Sequence, residues 1–453
     1  MSFRSLRDTV NQWWQWSFAR AAGTGHGTVS AVLRAGIQPG LYHFMHESAG
    51  EPTRFHLRVD SSGNGLLLAG ASAAARLTPS GVILAKGLLE GDDERTLLGR
   101  LQQSFHNVPV EEAQHDIRRV LGLIDELAEP GDTYPIINLT DPTFTPQANP
   151  LDLPLSADIP LAEPDRMVPL LDRMWELGIP HVTLIAGAAP EPAALLRAVE
   201  RAEDLGMIAG VRGRGTVLDQ GTLIRDLARA GVDHLNVLYL SADAGRHDRL
   251  AGIGDHERAV RVLGLARENE VCPVAEIALT QATAEWVEET IESLAHHEVN
   301  SAAVFAIAAD TGDAGGGALQ ADELIPMAGL IEEAADGAGL RLLWYPPVRF
   351  DPARPLSEQV QDGPRCSGDT AVRVEPDGAV IPARGPWVVG GNLLDDPWPR
   401  IHDSPAFQRY RARVEKDTHC ENCPGLAICA ADCPREPQGW ADGRQVPHAP
   451  AFG

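Results

Sequence analysis

ELGIPHVTLIAGAAPEPAALLRAVERAEDLGMIAGV, residues 176 to 211, contains one complete unit of a repeating pattern. His181 to Ile185 is a short, mostly apolar run, Gly187 and Pro190 break it, and Ala193 to Leu205 spaces its apolar residues as a helix does. Met207 to Val211 is apolar again. Strand, helix, strand in that order implies two parallel strands joined by a crossover helix.

The same rhythm extends in both directions. Ile136 to Leu139, His234 to Leu238, Val274 to Leu279, Ala302 to Ile307 and Arg341 to Trp344 read as further strands. Helical stretches lie at Pro164 to Leu177, Thr222 to Ala230, His256 to Asn269 and Ala284 to His296. Such alternation predicts an α/β domain over residues 131–350, a parallel sheet wound into a full or partial (β/α) barrel. Ligands of such a barrel sit at the carboxyl ends of its strands.

Upstream, over residues 41–130, the pattern runs from strands to helices. Tyr42 to Met45, Phe55 to Val59 and Leu66 to Leu68 are short extended runs, followed by helices over Ser80 to Leu89, Glu94 to Phe105 and Glu111 to Leu127. Thr78-Pro79 and Asp93 supply the start signals for the first two. Residues 1–40 form a separate helical segment, in which Trp13, Trp14, Trp16 and Phe18 alternate with polar residues. It either packs on its own protein or meets a partner.

Downstream, residues 351–453 hold the densest chemistry. Cys420, Cys423, Cys429 and Cys433 place four of six cysteines within fourteen residues, a spacing that lets thiolates converge on zinc or an iron–sulfur cluster. An empty site with buried relic cysteines is the third reading. Cys272, alone before Pro273, reads as a small core residue. The glycine-rich loop Gly312 to Gly317 lacks the Lys-Ser/Thr of a phosphate loop. Asp243, Arg246, His247, Asp248 and Arg249 follow a barrel strand, and Asp243 and His247 are the candidate catalytic residues.

A formal net charge of −25 argues against nucleic acid as a partner. No apolar run is long enough to span a membrane, and the opening is too polar for a signal peptide, so a cytoplasmic location is expected.

Three resemblances complete this reading. Residues 77 to 127 resemble PqqD-like peptide-recognition domains, winged-helix-like α+β folds of ribosomal-peptide modification systems. That implies a leader peptide added as a strand to the open edge of a three-stranded sheet. The succession from INLTDPTFTP through RGRGTVLD to LYLSADAGRHDRLAGIGDHERAV resembles the core of a radical S-adenosylmethionine enzyme. In that family Cys-x3-Cys-x2-Cys holds a four-iron cluster and a Gly-Gly-Glu-Pro segment receives the cofactor's amino group. Here Thr140 to Asn149 carries no thiolate, and Gly187, Ala188, Ala189 and Pro190 stand at the second motif. The residues from Cys366 to Cys433 resemble a SPASM extension, with Ala383 at the hairpin position where the family has a cysteine. The resemblance implies one remaining metal, zinc or a 4Fe-4S cluster, on the four-cysteine run, with Cys366 and His448 as further possible ligands.

The function expected from these features is that of a pseudoenzyme. It would bind a precursor peptide and escort it to an active radical enzyme or another modifying enzyme, without using S-adenosylmethionine. The alternative is an enzyme whose reused barrel site performs a non-radical peptide modification through Asp243 and His247.

Overall fold

The computed structural model describes residues 31–48, 51–70, 73–128, 153–309, 316–320, 323–368, 370–383 and 387–408. The expected strand Ile136 to Leu139, the segment Thr140 to Asn149, the tryptophans of the opening, Cys420 to Cys433 and His448 all lie outside these residues. The chain divides into two compact units, residues 1–133 and 134–453.

In the first unit, β1 (Gly40–Ser48), β2 (Glu51–Val59), β3 (Gly65–Ala69) and β4 (Ala73–Leu77) form an antiparallel meander in that order. The sequence indicates three strands, and β4 is the addition. Three helices follow, Pro79–Leu89, Glu94–Ser104 and Val110–Ala128. The Thr78 hydroxyl accepts from Gly81 N, and the Asp93 carboxylate accepts from Thr96 N, so both expected caps are made. Phe55, Leu57 and Leu67 from one sheet face are fully buried with Val82, Ile83, Leu97, Ile117 and Ile124 of the helices. β1 pairs with β2 along all nine residues and has no strand on its other side among the described residues.

The second unit is built on a sheet of parallel strands. β5 (Ser156–Pro160), β6 (His181–Ile185), β7 (Ile208–Gly213), β8 (His234–Leu238), β9 (Cys272–Leu279) and β10 (Ser301–Ala309) lie side by side in chain order. β11 (Leu319–Gln320), β12 (Arg341–Trp344) and β13 (Val348–Arg349) each pair in parallel with β10. Crossover helices such as Pro164–Leu177 and Pro192–Asp204 connect the strands. Their apolar faces bury Met167, Leu170, Leu195 and Val199 against Ala157, Ile159, Val182, Leu184, Ala209 and Val211.

On its far side β5 accepts β14 (Ala371–Val374) as a parallel neighbour. β15 (Ala379–Pro382) and β16 (Gly391–Asn392) continue the sheet antiparallel from there. The hairpin read as part of a carboxy-terminal domain therefore extends the barrel wall. Among the described residues no helix is long and apolar enough to cross a membrane.

Candidate functional site

Side chains alternate across a strand, so each barrel strand that buries apolar residues against the helices turns its alternate residues inward. The register places Asp158, Thr183, Gly210, His234 and Cys272 in one row across β5 to β9. Arg212 is level with Asn236, and Glu276 with Leu238. The inner face is therefore polar, and Asp158, His181, Thr183, Arg212, His234, Asn236 and Glu276 are all buried on it.

Buried polar groups need partners, and these form a continuous chain. Arg212 Nε donates to Glu276 Oε1 at 2.7 Å and Nη1 donates to Asp158 Oδ2 at 2.8 Å. Asn236 Nδ2 donates to Glu276 Oε1 at 3.0 Å and to the Tyr345 hydroxyl at 2.7 Å. His234 Nδ1 lies 2.8 Å from Asn236 Oδ1, and His234 Nε2 lies 2.9 Å from His181 Nε2. Since Asn236 Oδ1 only accepts, His234 carries its proton on Nδ1 and accepts through Nε2 from His181.

The electrostatics follow from this geometry. Burial works against the Arg212 charge, but Glu276 and Asp158 outweigh it and hold the guanidinium protonated far above its ordinary range. Burial, reinforced by Arg212 and opposed by the Asn236 bond, brings His234 down to about 4, so the imidazole is neutral. Burial and the two carboxylates raise the Tyr345 hydroxyl, which keeps its proton.

A strap closes over this cluster. After the helix Leu356–Asp362 the chain turns at Gly363, whose φ of 73° favours glycine. A β-carbon there would lie 3.8 Å from Arg212 Cδ and 3.9 Å from Glu276 Oε2. Ser367 then donates to Asp158 Oδ1 at 2.8 Å. Cys366, fully buried, shares a small apolar cluster with Ala371 and Ala383, and its thiol points at the carbonyls of Gly368 and Ala371, 3.7 and 3.9 Å away.

The residues singled out from the sequence lie outside this cluster. Asp243 caps the helix Ala244–Ala251, its carboxylate accepting from Arg246 N at 2.8 Å. His247 is fully buried: Nδ1 accepts from Leu240 N at 3.0 Å, so Nε2 carries the proton facing Asp255 Oδ2 at 3.1 Å. Asp255 also accepts from the amide and hydroxyl of Thr216, at 2.8 and 2.6 Å. Asp248 accepts from Gly254 N and His256 N, while Arg246 pairs with Glu289. Burial pushes the Cys272 thiol up to about 12, in keeping with a core residue. Among the described residues no group of three metal-ligating side chains converges.

No protein-family profile matches the sequence, and no curated protein does. Solved structures do match. SuiB of Streptococcus suis bound to S-adenosylmethionine superposes with a TM-score of 0.51 at 13% identity, over 86% of this chain and 95% of that one. SuiB bound to its precursor peptide SuiA gives the same TM-score and coverage at 12% identity. At this identity the likeness establishes a shared fold.

The sequence has no cysteine before Cys272. β5 passes to its helix through only Leu161, Ala162 and Glu163, and Leu161 N is bonded to Ile185 O. After β6 the chain passes through Gly187, Ala188 and Ala189, all exposed.

Proposed function

We propose that this protein is a noncatalytic, radical-enzyme-like peptide carrier. Its first unit holds the leader of a ribosomal precursor peptide, and the protein presents that peptide to a modifying enzyme or serves as a subunit of one. The observation that carries this reading is the nine-residue strand β1, paired on one side only among the described residues. An edge of that length offers backbone donors and acceptors to an added strand. The lack of thiolates before Cys272 and the methyl group of Ala189 support the noncatalytic part.

On this reading Cys420, Cys423, Cys429 and Cys433 hold one zinc ion or one 4Fe-4S cluster that fastens the tail, a structural role. Isothermal titration of the full chain with a ribosomal precursor peptide that carries its leader tests the carrier role. Saturable one-to-one binding at micromolar concentration, with the peptide mass unchanged after incubation, is expected. Absence of binding sinks the proposal. A mass change without any partner enzyme, abolished by Asp243→Ala or His247→Ala, would transfer the case to the reused-barrel enzyme.

A further inference from the structure

The barrel lumen carries a cation of its own. Two carboxylates from separate strands, Asp158 and Glu276, bind two different edges of one guanidinium, that of Arg212. All three residues are buried: Asp158 is 0% exposed, Glu276 2% and Arg212 3%. The Tyr345 ring lies 5.4 Å from Arg212 Cζ, within range of a cation–π contact. Backbone at Gly363 and the Ser367 hydroxyl close the assembly from the strap.

A site of this kind is costly unless it is filled. Two carboxylates enclosed in a low-dielectric interior repel each other, and only a cation of matching shape relieves them. Guanidinium is planar and presents separate donor edges, which suits acceptors approaching from two strands. Arg212 stands on β7 one residue before its carboxyl end, in the part of a barrel where small molecules bind.

We propose that Arg212 is the resident cation of the barrel, a built-in occupant of a guanidinium-shaped site that leaves no place for a cationic cofactor such as S-adenosylmethionine. Its removal exposes a site specific for guanidinium ions. The inference is independent of whether β1 binds a peptide.

The test uses the full chain with Arg212→Ala. The thermal midpoint of this variant is expected to fall, and millimolar methylguanidinium to raise it saturably by about 4 °C or more. Sodium at equal ionic strength should not do this, and neither salt should raise the wild-type midpoint. Adding Asp158→Asn and Glu276→Gln to the variant should abolish the response. Arg212→Lys keeps the charge but loses the two-edged geometry, and is expected to melt below wild type. Calorimetric titration of wild type with S-adenosylmethionine should show no saturable heat.

The proposal is overturned if Arg212→Ala is as stable as wild type, if a soluble Arg212→Ala is indifferent to methylguanidinium, or if S-adenosylmethionine binds the wild type stoichiometrically. Should Arg212→Ala be insoluble both with and without methylguanidinium, a wild-type midpoint for Arg212→Lys would overturn the proposal by itself.

Discussion

The imidazole of His234 occupies the space that Gly210 leaves open on the neighbouring strand. A β-carbon at position 210 would lie 1.9 Å from His234 Cε1, far inside contact distance. The ring belongs to the hydrogen-bonded chain of the lumen, so it cannot move aside without breaking its bonds to His181 and Asn236. Gly210→Ala is therefore expected to destabilise the second unit by about 1–3 kcal/mol, the usual cost of overpacking a tight core. The shift of the urea midpoint for loss of helical circular dichroism measures it.

The neutral state of His234 gives the fold a pH dependence. Its folded value, near 4, lies below its ordinary 6.5, so the unfolded chain takes up this proton first as pH falls. The stabilisation is complete above pH 6.5 and is lost progressively toward pH 4, a change of about 3 kcal/mol. His234→Gln should flatten the stability profile in that window. An unchanged slope would contradict a buried neutral imidazole.

Asp255 controls a lower window. Burial raises its carboxyl, but the bonds from His247 and Thr216 outweigh burial and hold it below the ordinary carboxylate value. The stabilisation is present above the unfolded value of about 3.9 and disappears as pH falls through the lower folded value. Asp255→Asn should cost about 1–3 kcal/mol at neutral pH and weaken the dependence below pH 4. His247→Ala, which strands both Asp255 and the Leu240 amide, should cost a similar amount. Denaturant titrations at pH 7 and pH 3.5 read both effects.

The tail chemistry can be read directly. One equivalent of zinc, or four of iron with sulfide, is expected per chain after anaerobic purification, and Cys420→Ser or Cys423→Ser should remove it. Cys366→Ala should leave the metal content intact, because the Cys366 side chain packs with Ala371 and Ala383. Metal retained in the first two variants would remove the four-cysteine run as the ligand set.

Much of the barrel was legible because its helix-facing residues are plainly apolar. The runs 181–185, 234–238 and 341–344 coincide with β6, β8 and β12. β5 escaped because Pro154 and Pro160 bracket it and a buried aspartate stands at its centre. β4 escaped because its composition, Ala-Ala-Ala-Arg-Leu, favours a helix when taken alone. The ionic cluster had a visible signal: His181 and Thr183, His234 and Asn236, and Glu276 each sit at alternate positions of otherwise apolar strands. What periodicity could not disclose was that residues on five strands and a distant strap meet. Asp243 and His247 were legible from their place after a barrel strand, whereas the cap that Asp243 makes and the bond of His247 to Asp255 were not.

The pairing of β14 with β5 also dictates a schedule for synthesis. Ser156 meets Ala371, which leaves the ribosome more than two hundred residues later. Until then one edge of the nascent barrel is unpaired, and the Asp158 carboxylate lacks its Ser367 donor. A wall completed by its last-made parallel strand folds late and exposes a sticky edge meanwhile. A nascent chain halted near residue 350 would hold every other parallel strand of the barrel yet be prone to self-association, needing a chaperone until the hairpin emerges.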